Sequence, residues 1–335
     1  MSRTARAYWL REPGFGEIRP ADLPDPGEGE VLVEALVSGV SRGTETLVHD
    51  GGVPPGQYAA MRAPFQEGEL PGPVKYGYLS VGRVAAGPDR LCGRTVFCLH
   101  PHQTAYVVPV EAVTVVPDEV PPRRAVLAGT VETAVNALWD ARPLVGDRVA
   151  VVGAGMVGLC VGRLLAGFPG LTVTMVDTDP ARAEVAGALE VGFARPGDAP
   201  DELDLVIHAS GTGAGLQTSL DLLAADGVVT DLSWYGDAPV ELRLGGRYHS
   251  ARLGIRASQV GEVAEARRSR RTRADRLALA LRLLADPAFD ALLTGESSFD
   301  ELPEVMAKLA SGSIPALCHT FAYPSGPGRA GPGEQ

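Results

Sequence analysis

Ala150-Val151-Val152-Gly153-Ala154-Gly155-Met156-Val157-Gly158 is the stretch whose reading decides the fold. Its apolar start reads as a short buried strand, the glycines as a tight turn, and Leu159 to Ala166 as a helix. A second apolar run, Leu171 to Val176, ends at Asp177, 19 residues past Gly158. Each part has a mechanical reason. Gly153 permits the turn, Gly155 lets backbone approach a pyrophosphate, and Gly158 lets the helix sit against the strand. Met156 and Val157 open the helix, where free N–H groups and the positive dipole end meet phosphates. Asp177 is placed to accept hydrogen bonds from ribose hydroxyls and to repel a 2′-phosphate, so the expected cofactor is NAD(H) and not NADP(H).

The whole chain sets bounds around that stretch. With 335 residues, two domains are expected, each able to bury its own core. A net charge of −11 argues against nucleic acid or an anionic membrane as a partner. Lysine occurs only at 75 and 308, the remaining basic side chains being arginine. Four cysteines are too few for a disulfide framework at this length, which fits a reducing cytoplasm. Met1 to Leu10 has no signal-peptide run, and no stretch approaches the roughly 18 apolar residues of a membrane span.

Residues 4 to 120 read as strands punctuated by Gly and Pro: Thr4–Leu10, Glu30–Val40, Tyr78–Ala85, Arg94–Leu99 and Gln103–Val108. Val48 to Val74 reads as a Gly/Pro-rich loop. Arg124 to Trp139 carries apolar residues at helical spacing. Strand–helix alternation follows from Arg148 to Leu232, the signature of a parallel sheet covered by helices on both faces. Within it, His208-Ala209-Ser210-Gly211 and Ser233-Trp234-Tyr235-Gly236 read as glycine-bearing polar turns at strand ends, where such sheets hold ligands. Further on, Leu253–Ala257 reads as a strand, Arg276–Leu284 as a helix, Phe299–Ala310 as a helix capped by Asp300, and Ala316–Ala322 as a last strand. Pro324 to Gln335 reads as a disordered tail.

A β-rich first part, a dinucleotide-binding part and a return to the first resemble the medium-chain dehydrogenase/reductase superfamily. The resemblance rests on Gly39-Val40-Ser41-Arg42-Gly43-Thr44-Glu45, Gly77-Tyr78-Leu79-Ser80-Val81-Gly82, and the glycine turn with Asp177. It implies an α/β chain of two domains. A GroES-like substrate domain would take residues 1–125 and 285–323, and a Rossmann domain with a doubly wound parallel sheet residues 126–284. It also implies a homodimer acting on a small-molecule substrate. Zinc alcohol dehydrogenases carry a cysteine ligand where this chain has Ser41 and a histidine where it has Tyr78, and their third ligand aligns near Gly129. The four-cysteine structural lobe is missing as well. Cys92, Cys98, His100 and His102 do not fit the usual C-x2-4-C spacing, so no metal is expected. Ser41 to Glu45 and Lys75-Tyr76-Gly77-Tyr78 are similar to the zinc-lacking subgroup containing bacteriochlorophyllide dehydrogenase.

Hydride transfer to a carbonyl develops negative charge on oxygen, and without zinc the stabilisation must come from hydrogen-bond donors or a general acid. Tyr78 is the expected proton donor, with Lys75 lowering its pKa from about 10 and Ser41 beside it. A tyrosine that merely fills the vacated metal space is the other reading. Glu45 and Thr44 are expected to orient substrate hydroxyls, and His100 and His102 are relay candidates in a loop where solvated histidines are the commoner case. For the cofactor, the resemblance implies Arg42 at the pyrophosphate, and Thr133 and Glu132 lie near the nicotinamide. Arg182 would bracket the adenosine ribose, or else be a surface arginine. The basic run Arg267 to Arg273 closes over an anion or is a solvated loop. The expected activity is a zinc-independent, NAD(H)-dependent interconversion of secondary alcohol and ketone. The alternatives are an NADPH-dependent quinone or enoyl C=C reductase and a non-catalytic NAD(H)-binding protein.

Overall fold

The structure, a computed structural model, describes residues 3–324. Apart from Pro324, the tail expected to be disordered lies outside the described residues. Two compact units form, one from residues up to Leu127 together with those from Leu293, the other from Ala128 to Leu292. The sequence had placed the second boundary after 284. The helical turn Pro287–Leu292 explains the difference, because it buries Phe289 and Leu292 and packs on helices of the second unit.

The first unit is built on two sheets whose strands pair antiparallel except for the parallel pair at residues 293–298 and 318–322. β1 (Arg3–Glu12), β2 (Phe15–Leu23), β4 (Glu67–Gly68) and β5 (Val74–Lys75) form one sheet in the order β2-β1-β5-β4. The second sheet contains β3 (Glu30–Gly39), β6 (Ser80–Ala86), β7 (Thr95–Cys98), β8 (Ala105–Pro109) and β9 (Val113–Val115). The C-terminal strands β16 (Leu293–Ser298) and β17 (Cys318–Ala322) join it, giving β16-β17-β3-β6-β7-β9, with β8 also on β3. β3 buries Val31, Leu32 and Val33 in succession, so both of its faces are covered there, and Glu34 is its exposed position. α1 (Arg42–His49) follows β3, and the short α2 (Pro122–Ala125) ends the N-terminal part.

The second unit opens with α3 (Ala128–Ala141) and holds six parallel strands: β10 (Arg148–Val152), β11 (Thr172–Val176), β12 (Gly192–Ala194), β13 (Leu205–His208), β14 (Val228–Asp231) and β15 (Gly254–Ala257). Their order, β12-β11-β10-β13-β14-β15, reverses direction between β10 and β13. Val149 to Val152 are all buried, which is why this strand reads as an unbroken apolar run. α4 (Met156–Ala166), α5 (Arg182–Ala188), α6 (Gly213–Leu222), the short α7 (Arg247–Ser250) and α8 (Arg273–Leu283) make the connections. This is a doubly wound sheet, whose ligand crevice lies beyond the carboxyl ends of the strands at the reversal.

α9 (Leu302–Ala310) belongs to the first unit and buries Leu302, Val305, Met306 and Leu309 in one core with Phe299 and Phe321. Its start corrects the sequence reading. Ser298, not Asp300, is the cap, and a reciprocal box with Glu301 opens a short 3-10 turn before the helix. Among the described residues, no helix is long and apolar enough to cross a membrane.

Candidate functional site

In the second unit the glycine turn sits at the sheet's reversal point. Gly153 has φ +105°, and a Cβ there would stand 2.6 Å from the Ser210 backbone nitrogen. A Cβ on Gly158 would lie 1.9 Å from the Gly153 carbonyl oxygen, so α4 can begin here only with glycine. At Gly155 a Cβ would meet nothing within 4 Å, and the residue is exposed, leaving the N-terminus of α4 open to a ligand. Asp177, one residue past β11, accepts hydrogen bonds from Ala154 N–H at 2.7 Å and from Asp179 N–H at 2.9 Å. The two donors fix the carboxylate against the turn while the side chain stays half-exposed.

The turns after β13 and β14 form a polar cluster that sequence reasoning marked only in part. His208 and Asp231 face each other in the parallel register, with His208 Nδ1 2.9 Å from Asp231 Oδ1. His208 Nε2 lies 2.7 Å from Ser210 Oγ, and Tyr235 donates to Asp231 Oδ2 at 2.9 Å. Gly211 N–H donates to Ser233 Oγ at 3.0 Å, tying the two turns together. Burial works against ionisation of Asp231, but hydrogen bonds from His208, Ser233 N–H and Tyr235 outweigh it and hold the carboxyl below its usual range. Burial, then the Asp231 charge, pushes the Tyr235 phenol up. The available signal was a histidine and an aspartate ending two strands that become neighbours, legible only once the strand order is known. Trp234 is half-exposed on the same turn.

Three expected cofactor contacts have other partners here. Arg182 pairs with Asp179 at 3.2 Å. The Thr133 hydroxyl donates to the Gly129 carbonyl of its own helix at 3.0 Å. Glu132 is buried against Arg276, 3.0 Å away, and Arg276 also donates to Asn136 and to the carbonyls of Val260 and Glu262, so the pair anchors the segment after β15. Burial raises the Glu132 pKa against the pull of Arg276.

In the first unit, Ser41 caps α1 and its N–H donates to Glu45 Oε1 at 2.8 Å. Glu45 is 3% exposed. Its Oε2 lies 2.9 Å from His102 Nε2, His102 Nδ1 lies 2.7 Å from Ser38 Oγ, and Ser38 Oγ lies 2.9 Å from the Tyr323 hydroxyl. Tyr78 is half-buried beside Ser41 and Thr44, whose hydroxyls favour the ionised phenol oxygen. Ser41, Thr44, Glu45 and Tyr78 therefore form one cluster.

Lys75 does not serve Tyr78. Its ammonium is buried and bound by Glu67 and by Gln103 Oε1, the latter at 2.8 Å. The expected lowering of the phenol is corrected as well: burial, then the Glu45 charge, pushes Tyr78 up to about 12 against the two hydroxyls. Glu45 is likewise not free to grip a substrate, since it is buried and both its oxygens have protein partners, whereas the Asp177 carboxylate stays half-exposed. The histidines are not solvated. His100 stacks on Tyr106 at 3.7 Å between centroids and on Phe65 at 5.5 Å, and burial lowers its pKa to about 3. Arg42 is half-buried and makes one long bond, 3.5 Å, to the Ala316 carbonyl.

The zinc that alcohol dehydrogenases hold does not fit the side chains at these positions. Ser41 and Tyr78 offer neutral hydroxyls where thiolate and imidazole would be needed, and Gly129 offers no donor. Burial pushes Cys98 and Cys318 each up to about 12, so those thiols stay protonated.

The chain thus carries a doubly wound unit with an open glycine turn and a β-rich unit in which Ser41, Thr44, Glu45 and Tyr78 come together. No family model matches the chain. It is 24% identical to the L-threonine 3-dehydrogenase of Pyrococcus horikoshii over 272 residues, which is 70% of this chain and 77% of that protein. It is 24% identical to the sorbitol dehydrogenase of Bacillus subtilis over 232 residues, 61% of this chain and 65% of that one. Among solved structures, the L-idonate 5-dehydrogenase of Escherichia coli matches with a TM-score of 0.79 and 15% identity, covering 96% of this chain and 99% of that chain. At that identity the likeness establishes the fold.

Proposed function

We infer that the chain is an NAD(H)-dependent, zinc-independent oxidoreductase that interconverts a secondary alcohol and a ketone on a small-molecule substrate. The observation that carries the reading is the glycine turn, open at Gly155 and bordered by the Asp177 carboxylate. Similarity to threonine and sorbitol dehydrogenases supports alcohol chemistry. NAD(H), when bound, accepts or supplies the hydride. The free N–H groups at the start of α4 bind its pyrophosphate, and Asp177 takes its ribose hydroxyls. Tyr78 donates a hydrogen bond, then its proton, to the carbonyl oxygen on which charge develops. Ser41 and Thr44, whose hydroxyls favour the ionised phenol, take up the charge left on it. Glu45, fixed by His102, holds the Ser41 backbone.

Fluorescence titration with NADH and NADPH, followed by a screen of alcohols with NAD+ and of ketones and enones with NADH, tests this reading. Preferred NADH binding with alcohol or ketone turnover is expected. Enone turnover with NADPH would move the chain to the C=C reductases, and tight NADH binding without turnover to the non-catalytic class. Asp177→Ala should narrow the NADH preference by about tenfold, the equivalent of one charge-assisted hydrogen bond. An unchanged ratio would remove Asp177 from cofactor choice.

A further inference from the structure

The basic run from Arg267 to Arg273 takes no part in the glycine turn or in the Tyr78 cluster. The chain has 41 carboxylates against 30 basic side chains, so partners for arginine are plentiful. Arg273 has one in Glu262, and Arg276 has one in Glu132. Among the described residues, no hydrogen bond or ion pair holds the guanidinium of Arg267, Arg271 or Arg282, and all three are exposed. With Trp139 of α3 and Leu279 of α8, they line a concave space of about 350 Å³. The one acid in the lining, Asp275, is already committed. Its carboxylate accepts the Thr272 N–H and hydroxyl, both at 2.9 Å, in the box that caps α8, and those bonds hold its pKa down. The cavity thus presents three exposed guanidinium groups against one carboxylate, Asp275, which feels the charge of Arg271, together with a half-buried indole.

We propose that this cavity is a binding site for a small aromatic phosphate, in class a nucleoside monophosphate. Guanidinium forks match phosphate oxygens two at a time, and three guanidinium groups outweigh the single carboxylate of the lining. An indole among arginines offers a base both a stacking face and cations above it. The volume lies within the range of small-ligand pockets. The site is separate from the cofactor crevice. The glycine turn leaves the carboxyl end of β10, whereas Trp139 stands near the end of α3, whose chain enters β10 at its opposite end. None of the lining residues belongs to the glycine turn, to Asp177 or to the turns after β13 and β14.

Calorimetric titration of the full chain with uridine 5′-monophosphate, with and without saturating NADH, tests the site. One saturable site below roughly millimolar Kd is expected, unchanged by NADH. Arg267→Ala with Arg271→Ala should weaken that binding at least tenfold and leave NADH affinity as it was. Both side chains are exposed and unpartnered, so the double variant should keep its fold, which circular dichroism checks. Trp139→Leu should weaken the nucleotide but leave ribose 5-phosphate binding unaltered. Absence of saturable binding, equal binding by the double arginine variant, or displacement by NADH would each overturn the site.

Discussion

Tyr78 keeps its proton across the whole range in which the protein works. Burial and the neighbouring Glu45 carboxylate both disfavour the phenolate, and the group titrates only near 12. A phenol so placed is a poor base and a persistent hydrogen-bond donor, which suits the reduction direction, where oxygen gains charge. Tyr78→Phe removes that donor and little else, since the ring also packs edge-on against Tyr76 at 6.1 Å. Turnover should fall by roughly 10²- to 10⁴-fold, the usual contribution of a positioned acid, with NADH affinity unchanged. Steady-state kinetics beside a fluorescence titration separates the two, and full activity in the variant rules the role out. Wild-type turnover should also show no Tyr78 titration below about pH 10. The cluster was only partly legible in the sequence. Ser41, Thr44 and Tyr78 were visible from their positions in two motifs. The Glu45–His102 pair was not, because 57 residues separate its members and a histidine beside prolines looks like a loop residue.

Among the elements, the corner between β7 and β8 carries a pH dependence, because the histidine read as a relay candidate or a solvated loop residue is buried there. His100 is stacked and buried there, and its pKa of about 3 lies well below the ordinary 6.5. The sign follows from proton uptake. Between those two values the unfolded chain binds a proton that the folded chain refuses, so stability is full above pH 6.5 and falls as the pH drops. From pH 6.5 to 5 the loss should be on the order of 1–2 kcal/mol from this residue. His100→Phe keeps the ring stack and cannot protonate. Urea unfolding at pH 7 and pH 5 should show a smaller drop for the variant than for wild type, and equal drops would mean His100 does not set the slope. Elements were legible in proportion to their patterning. β10 and β11 stand out because their interior residues are nearly all apolar. β2 was missed because its burial pattern is mostly intermediate and it contains Pro20. β16, Leu-Thr-Gly-Glu-Ser-Ser, is a strand because β17 pairs with it, not because of its own residues.

At the scale of the whole molecule, the parallel sheet ends on an unprotected strand. β15 pairs with β14 on one side, and among the described residues no strand covers the other. Ile255 on that strand is 38% exposed and Val228 on β14 is 44% exposed. An uncovered apolar edge is a template for a second strand. A two-fold axis beside β15 would pair it antiparallel with the same strand of a second copy, closing the edge and the apolar surface together. The homodimer implied by the sequence resemblance is thus a proposal with a definite surface. Size-exclusion chromatography with light scattering should give a particle of two 35.0 kDa chains. Ile255→Lys puts a charge on the edge and should shift the particle to a single chain. Its NADH affinity should be unchanged, because the glycine turn lies three strands away, after β10. A wild-type protein that runs as a single chain at micromolar concentration, or a variant that stays dimeric, would take the interface away from β15.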